Sequence, residues 1–239
     1  MNLLTYNDMR LTCLRATENP FGILKQAAKL TMTTSALIED RDYTEEAQIK
    51  FLKFIIQAEH TSILEHVAWT IYAENISRSL LAQLTRHRIA SFTSASQHYS
   101  DYADMPFVIS EEAKQLMMIR ISTGGFYDSL HTSSLGYKIM LEDDILPREE
   151  ARQVLPNASA VNLIMTINAR SLLNLIKQRI CRRNVEEMRI FADRLVELIG
   201  HTWPAFAKCL GPYCFYLGKC NQGKMSCNKL WEVTLDDIA

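Results

Sequence analysis

Apolar residues along the chain recur mostly at helical spacing, and they alternate with polar residues only in short stretches. Helical spacing is found over residues 20–29, 44–60, 78–88, from 110, from 147, 171–180 and 185–199. Two other stretches predict strands, Val67–Ala73 through alternation and Val161–Ile167 through β-branched apolar residues. The pattern predicts an α+β fold, a single helix-rich domain with a small mixed or antiparallel sheet.

Residues that can cap helices stand in front of four of the helical stretches. Asn19 precedes Pro20, which is favoured at the first helical position. Thr44, Ser77 and Asn184 occupy the equivalent place before three further helices. Each side chain brings an oxygen to backbone N–H groups that have no partner inside the helix, so we predict that these four residues are N-caps.

The composition and charge narrow the class of protein. Eight Gly and six Pro in 239 residues are few, which favours long helices. A net charge of −1 argues against a surface built to bind nucleic acid. The longest uncharged stretch, residues 153–169, is too polar to span a membrane, and Asp8 and Arg10 lie where a signal peptide needs its apolar run. We therefore expect a cytoplasmic protein with no nucleic-acid and no membrane partner.

The cysteines are unevenly distributed, because four of the six lie near the end of the chain. Residues 1–205 are predicted to form the main domain, and residues 206–239 a Cys-rich tail packed on it. The tail contains Cys209, Cys214, Cys220 and Cys227. Four thiolates suit zinc or an iron–sulfur cluster, but the usual C-x2-C spacing is absent and the cell interior keeps thiols reduced. Free thiols without a metal are the prediction, and a structural metal and disulfides are the alternatives.

The triplet Arg86-His87-Arg88, at the predicted end of the third helix, is the sharpest candidate for ligand binding. It is followed by a predicted loop or irregular strand, Ser91–Ser100, which is rich in hydroxyl groups. Arginine forks bind phosphate oxygens, and hydroxyl and backbone N–H groups complete an anion site. Cations at a helix C-terminus are also stabilised by the helix dipole without any ligand. The spacing alone leaves both interpretations open.

Asn168, Arg170, Asn174 and Arg179 form a second candidate on one predicted helix. At about 100° per residue, Arg170 and Asn174 lie close together, whereas Arg179 projects roughly half a turn away. The many apolar neighbours argue against a purely solvated face and predict an anionic or planar partner for an arginine here. One helix can thus address two ligands or two subunits.

His60, Glu65 and His66 form a third cluster. Two imidazoles and a carboxylate can bind zinc, but the i, i+4 spacing of a zinc-binding helix is missing. We expect a helix-capping or cofactor-contacting role instead of a metal site.

Together these segments resemble the flavin-dependent thymidylate synthase (ThyX) family. The resemblance is carried by residues 83–91, QLTRHRIAS, in which a serine follows the RHR triplet after three residues, and by Ser96 five residues later. Further matching segments occur in the family's order at His60–His66, Arg152, Leu155-Pro156 and Asn168–Leu172. The resemblance spans roughly residues 20–200, and the combination is more specific than any single motif.

The resemblance implies an α+β subunit in a homotetramer, with FAD bound between subunits. It implies reductive methylation of dUMP to dTMP, in which methylenetetrahydrofolate supplies the carbon and NADPH reduces the flavin. The positions that match flavin contacts are His60, Ser62, Arg86, His87, Arg88, Asn168, Arg170 and Asn174. The positions that match the nucleotide site are Gln83, Arg86, Ser94, Ser96, Gln97, His98, Arg152 and Arg179. Arg179 matches the catalytic arginine at the pyrimidine edge, where a fixed positive charge favours an electron-rich ring.

Two positions depart from the family pattern. His98 stands where the family has Arg before Tyr, and Ser94 stands where Glu is common. Histidine is shorter than arginine and mostly neutral at pH 7, so the nucleotide pocket lacks one permanent positive charge. The departures keep open a flavin-dependent C5-methylase of another pyrimidine nucleotide, such as UMP. A flavin- or nucleotide-binding protein without activity is a third hypothesis.

Overall fold

The computed structural model describes residues 2–34, 42–119, 125–142 and 145–238, and the chain divides into two compact units. The first unit contains Met1–Arg10, Tyr72–Arg86 and Phe92–Ile164. The second unit contains Leu11–Ile71, His87–Ser91 and Met165–Ala239. The tail residues from 206 onwards therefore belong to the second unit, whereas the boundary at residue 205 stays a prediction.

Helices and two small sheets confirm the α+β class. The helices are α1 (Pro20–Leu30), α2 (Glu45–Gln57), α3 (Arg78–Leu84), α4 (Glu111–Ile119), α5 (Phe126–Glu142), α6 (Arg148–Ala151), α7 (Ala169–Arg179), α8 (Glu186–Thr202), α9 (Pro204–Lys208) and α10 (Tyr213–Leu217). Single turns of 3-10 helix occur at Tyr6–Asp8, Arg152–Val154, Gly223–Met225 and Leu235–Asp237, and a longer one at Thr61–His66.

The strands are β1 (Leu3–Thr5), β2 (Arg10–Ala16), β3 (Ala68–Ser77), β4 (Ala90–Ser94), β5 (Phe107–Ile109) and β6 (Ala160–Asn168). β1 and β5 pair in parallel, with Leu3 opposite Phe107 and Thr5 opposite Ile109. The other strands form a sheet in the order β2, β3, β6, β4. The predicted strands are confirmed as β3 and β6. β1 and β5 are missed because three residues are too few to show a pattern of alternation.

Three of the four predicted caps are confirmed. Asn19, Thr44 and Ser77 accept backbone N–H groups of α1, α2 and α3 at 3.0, 3.3 and 2.9 Å. Each such bond satisfies a donor that the helix itself leaves unpaired and is worth about 1 kcal/mol. The sequence therefore locates these helix starts correctly.

Asn184 is not a cap, so that prediction is wrong. Its side-chain amide donates to the carbonyl oxygens of Gln178, at 2.6 Å, and Cys181, at 3.4 Å. α8 begins one residue later, after Val185, whose side chain makes no capping bond. The amide of Asn184 thus closes the turn that follows α7 instead of starting the next helix.

Stacked aromatic rings form the centre of the second unit's core. The rings of Trp69 and Phe206 lie 6.0 Å apart and almost parallel, and Trp203 stacks on Phe206 at 4.9 Å. The buried indole N–H groups are satisfied, since Trp69 donates to Thr202 and Trp203 donates to Gln48, each at 2.9 Å. These contacts join β3, α2, the end of α8 and α9.

The first unit has its own apolar clusters. One contains Phe107, Ile109, Met117 and Leu130, and another contains Tyr102, Tyr137 and Ala151. The buried Tyr137 hydroxyl accepts the backbone N–H of Tyr102 at 3.4 Å.

Candidate functional site

The 3-10 helix Thr61–His66 and α7, together with their N-caps His60 and Asn168, carry most of the predicted flavin contacts of the second unit, and the two elements pack against each other. The N–H of Ala169, at the start of α7, donates to the carbonyl of Val67 at 2.7 Å. Arg170 donates through Nη1 to the carboxylate of Glu65. The anionic partner that the sequence requires for Arg170 is therefore Glu65 within the chain itself.

α7 has a polar edge on an otherwise buried helix. Arg170 and Asn174, one turn apart, are exposed. Asn168 caps the helix, because its Oδ1 accepts the N–H of Ser171 at 2.8 Å. α7 thus starts at Ala169, two residues before the predicted start at Ser171. The apolar residues of the helix are buried: Leu172, Leu173, Leu175 and Ile176.

His87 and Arg179 meet in a contact that the sequence does not predict. The Nε group of Arg179 donates to Nε2 of His87 at 3.0 Å, and both side chains are half-buried. Burial, and then the positive charge of Arg179, lower the pKa of His87 below its ordinary value. The ring is therefore neutral at pH 7 and carries its proton on Nδ1, since Nε2 is the acceptor. His87 orients Arg179 instead of adding a second positive charge.

The triplet itself lies beyond the third helix and not inside it. α3 ends at Leu84, and Thr85 is its C-cap. Arg86 and Arg88 follow in a turn, and both are exposed. Their charges are therefore presented to solvent, where they are available to an anionic ligand as well as to the helix dipole.

The exposed polar groups of the second unit fit a flavin dinucleotide. Arg88 and Arg170 carry fixed charges that suit a diphosphate. The side chains of His60, Ser62 and Asn174 are exposed and supply neutral hydrogen-bonding groups. A cofactor with a diphosphate and many polar ring and chain atoms matches this set of donors.

The predicted nucleotide residues lie in the first unit, apart from Arg179. Gln83 is half-buried in the last turn of α3, and Ser94 ends β4. Arg152 lies in a 3-10 turn, where its Nε donates to the carbonyl of Glu149 at 3.1 Å.

The turn that follows β4 presents His98 to solvent. The Ser96 hydroxyl accepts the N–H of His98 at 3.2 Å. The His98 ring lies 6.3 Å from the ring of the exposed Tyr99. Gln97, between the two, is buried at 7% exposure, so it faces the interior of the unit while His98 faces outwards.

In the cluster of His60, Glu65 and His66, the carboxylate of Glu65 is paired with Arg170. In the described part of the chain, no group of three or more His, Cys, Asp or Glu side chains is placed to hold a metal ion. Across the same residue ranges, every helix is too short or too polar to cross a membrane.

Comparison with known proteins tests the resemblance. The family model described as "Thymidylate synthase complementing protein" matches residues 12–205, and this range contains every predicted site residue. The chain belongs to this family.

Two proteins named flavin-dependent thymidylate synthase are similar to this chain over nearly its whole length. The flavin-dependent thymidylate synthase of Clostridium tetani is 34% identical, covering 94% of this chain and 95% of its own. That of Geobacter sulfurreducens is 32% identical, covering 94% and 96%. A crystal structure of the UMP/dUMP methylase PolB from Streptomyces cacaoi, bound with 5-Br dUMP, has a TM-score of 0.74 at 18% identity and covers 87% of this chain and 96% of its own. This last likeness shows the fold.

Sequence reasoning about this family member misses two pairings, Glu65 with Arg170 and His87 with Arg179. The partners lie 105 and 92 residues apart, so no periodicity can connect them. The sequence nevertheless contains a chemical indication of these pairings, since an arginine among apolar neighbours needs an anionic or planar partner. It predicts that a partner exists but not which residue it is.

Proposed function

We propose that this protein is a flavin-dependent thymidylate synthase that converts dUMP to dTMP by reductive methylation. Family membership and relatives of that name over 94% of the chain support the reaction. The observation that carries the assignment of roles is the contact between Arg179 and His87. It connects the family's triplet with the arginine expected at the pyrimidine.

FAD, when bound, supplies the reducing equivalents for the new methyl group after NADPH has reduced it. Arg88 and Arg170 hold its diphosphate, and His60, Ser62 and Asn174 bind its other polar atoms. For Arg170 this means exchanging the carboxylate of Glu65 for phosphate oxygens. Both partners are about half-exposed, so their ion pair is weak and the exchange costs little. Asn168 contributes indirectly by capping α7.

Arg179 acts on the pyrimidine. Its guanidinium keeps a full positive charge at pH 7 and is pre-oriented by the neutral ring of His87. A fixed positive charge at the ring edge stabilises the electron-rich form of the pyrimidine, which is the form whose carbon 5 can attack the one-carbon unit of methylenetetrahydrofolate. No reorganisation is needed at that moment, because the hydrogen bond to His87 already fixes the arginine.

The nucleotide monophosphate is bound by residues of the first unit. Arg86 and Arg152 supply charge for the phosphate, and Ser96 and Gln83 supply hydrogen bonds. His98 and Ser94 adjust this pocket relative to the family pattern. We further propose a cytoplasmic homotetramer with FAD between subunits, which accounts for the exposure of Arg88 and Arg170 in a single chain.

The flavin itself provides the test. The purified protein should be yellow, its visible band should bleach with NADPH in the absence of oxygen, and the band should return when dUMP and methylenetetrahydrofolate are added together. Recovery of the band without dTMP formation, or a protein that binds no FAD, would contradict the proposal.

A further inference from the structure

Four cysteines line a single cavity of about 290 Å³ in the second unit. They are Cys181, just past α7, and three thiols of the tail, Cys214, Cys220 and Cys227. The sequence groups the tail thiols with Cys209 instead, but Cys209 is fully buried and does not line this cavity. In the structure, Cys181 from a different part of the chain therefore takes the place of Cys209 in the set of four thiols.

The charges around this cavity are those that a metal–thiolate centre needs. Zn²⁺ with four thiolates carries a net charge of about −2. Lys177, Arg183 and Lys229 line the cavity and can balance it, and none of the described lining residues is Asp or Glu. Lys177 is held in place over the ring of Tyr216, 4.3 Å from its centre. Soft sulfur ligands without carboxylates select zinc over hard cations such as Mg²⁺ or Ca²⁺.

The tail turns tightly around two of these thiols. The Cys220 sulfur is hydrogen-bonded to the backbone N–H of Gln222 and to the Ser226 side chain. Gly223 and Asn228 adopt left-handed backbone conformations, with φ of 51° and 55°, and Asn228 directly follows Cys227. Donors aimed at a sulfur favour the thiolate, which is the form that binds metals.

In place of the free thiols that the sequence predicts, we propose that Cys181, Cys214, Cys220 and Cys227 bind one Zn²⁺, which fastens the tail to the end of α7. In the metal-free arrangement of the described residues, no three such side chains are placed to hold an ion. The sulfurs must therefore converge, and a change of rotamer about the Cα–Cβ bond moves a sulfur by about 3 Å. The cavity provides the space for this movement. Binding displaces the thiol protons into solvent, so affinity rises with pH.

Zinc is preferred over an iron–sulfur cluster because it needs only the four thiolates that the chain supplies. The cluster additionally needs sulfide and several irons. The site lies two residues beyond Arg179 but uses no residue assigned to FAD or nucleotide binding. Its metal content can therefore be measured independently of turnover.

The test is metal analysis of the full chain, purified after expression in zinc-supplemented medium. We expect about one Zn²⁺ per chain, and Co²⁺ in its place should give the intense sulfur-to-metal absorption of a tetrahedral thiolate site. Zinc should also protect four of the six cysteines from alkylation, while Cys13 reacts in both states. The variants Cys220→Ser and Cys227→Ser should lose at least about tenfold in zinc affinity, and Cys13→Ser, outside the cavity, should bind zinc normally.

Wild-type protein with less than about one tenth of a zinc per chain after supplementation would overturn the proposal. Zinc retained at full affinity in both cavity variants, or stoichiometric iron with acid-labile sulfide, would overturn it as well. If a variant does not fold, Co²⁺ titration of the metal-free wild type decides the question, because a site of other ligands gives no sulfur-to-metal band.

Discussion

The end of α7 and the turn after β4 hold their functional side chains in different ways. At the end of α7, Arg179 is fixed by a partner from a distant part of the chain, since His87 accepts its Nε at 3.0 Å. In the turn after β4, His98 is exposed, and its backbone is bonded only two residues back, to the Ser96 hydroxyl. One region is organised before a ligand arrives, and the other has room to adapt.

This difference fits the roles that we propose for the two regions. Arg179 acts on the reacting pyrimidine ring, and the turn after β4 contacts the nucleotide. A charge that stabilises an electron-rich ring works best when it is already oriented, so a long-range contact at Arg179 is useful. Substrate identity is set by which groups meet the ligand, and a short exposed turn changes these groups without disturbing a core. The two departures from the family resemblance, Ser94 and His98, occur at the end of β4 and in the turn that follows it.

The largest expected effect comes from removing the oriented charge. Arg179→Ala should lower kcat by about 10²–10³-fold, the usual cost of losing one oriented group that stabilises transition-state charge. FAD should remain bound, because Arg170 and Asn174 are untouched. Steady-state kinetics and the flavin content of the purified variant measure both.

Arg182→Ala is the matched control, since it removes an exposed arginine three residues further on and should leave kcat within about twofold. A colourless Arg179→Ala protein would mean that this residue belongs to flavin binding, and the contrast between the two arginines of α7 would be lost.

The next effect concerns the flavin. Arg170→Ala should weaken FAD binding by about tenfold to a hundredfold, because a charge-assisted hydrogen bond contributes about 1.5–3 kcal/mol. Glu65→Gln should change it by less than about fivefold, since an exposed ion pair contributes at most about 1 kcal/mol. Fluorescence titration of the apoprotein with FAD compares the two. A larger effect from Glu65→Gln would show that Glu65, and not Arg170, contacts the cofactor.

The role of the turn after β4 can be tested by restoring the arginine that the family has at position 98. His98→Arg should tighten dUMP binding about tenfold, through a charge-assisted contact with the anionic nucleotide. His131→Arg adds the same charge at another exposed position of the first unit and should have no such effect. Calorimetric titration with dUMP and UMP gives both affinities. If neither nucleotide binds more tightly to His98→Arg, His98 is itself a specificity residue.

The smallest expected effect is the pH dependence of the His87 contact. The folded pKa of His87 lies below the ordinary 6.5, so the unfolded chain takes up a proton first as the pH falls. Stability from this group is complete above pH 6.5, falls as the pH drops below it, and levels off once the folded ring also protonates. Urea unfolding at about pH 7.5 and about pH 5.5 should show a smaller loss for His87→Gln, which keeps an acceptor without titrating near neutrality. An equal loss in both proteins would show that other groups cause it.

Local signals in the sequence predict the parts of this protein that depend on neighbouring residues. Asn19, Thr44 and Ser77 cap their helices as predicted, because a cap needs only the residues that follow it. Asn184 fails because its amide reaches backwards to carbonyl oxygens of the preceding turn, an alternative with the same local chemistry. β2 is missed because it exposes Leu14 along with Arg10 and Arg15, which breaks the expected alternation.

Only part of the candidate site can be predicted from local signals. The motifs contain the types and the order of its residues, but the partners of Arg170 and Arg179 lie 105 and 92 residues away in the chain. The cavity of four thiols is a similar case, because Cys181 and the tail have no pattern that links them. Only folding brings such residues together, so the sequence predicts the chemistry and the structure supplies the pairings.

Reaction rates with dUMP and with UMP decide which pyrimidine nucleotide the enzyme methylates. Initial rates should be measured with FAD-loaded protein, NADPH and methylenetetrahydrofolate, with either nucleotide at equal concentration, and the products identified by mass spectrometry. We expect dTMP from dUMP, at a rate well above that of 5-methyl-UMP formation from UMP. A faster reaction with UMP, or no methylated product from either nucleotide with flavin bound, would contradict this expectation.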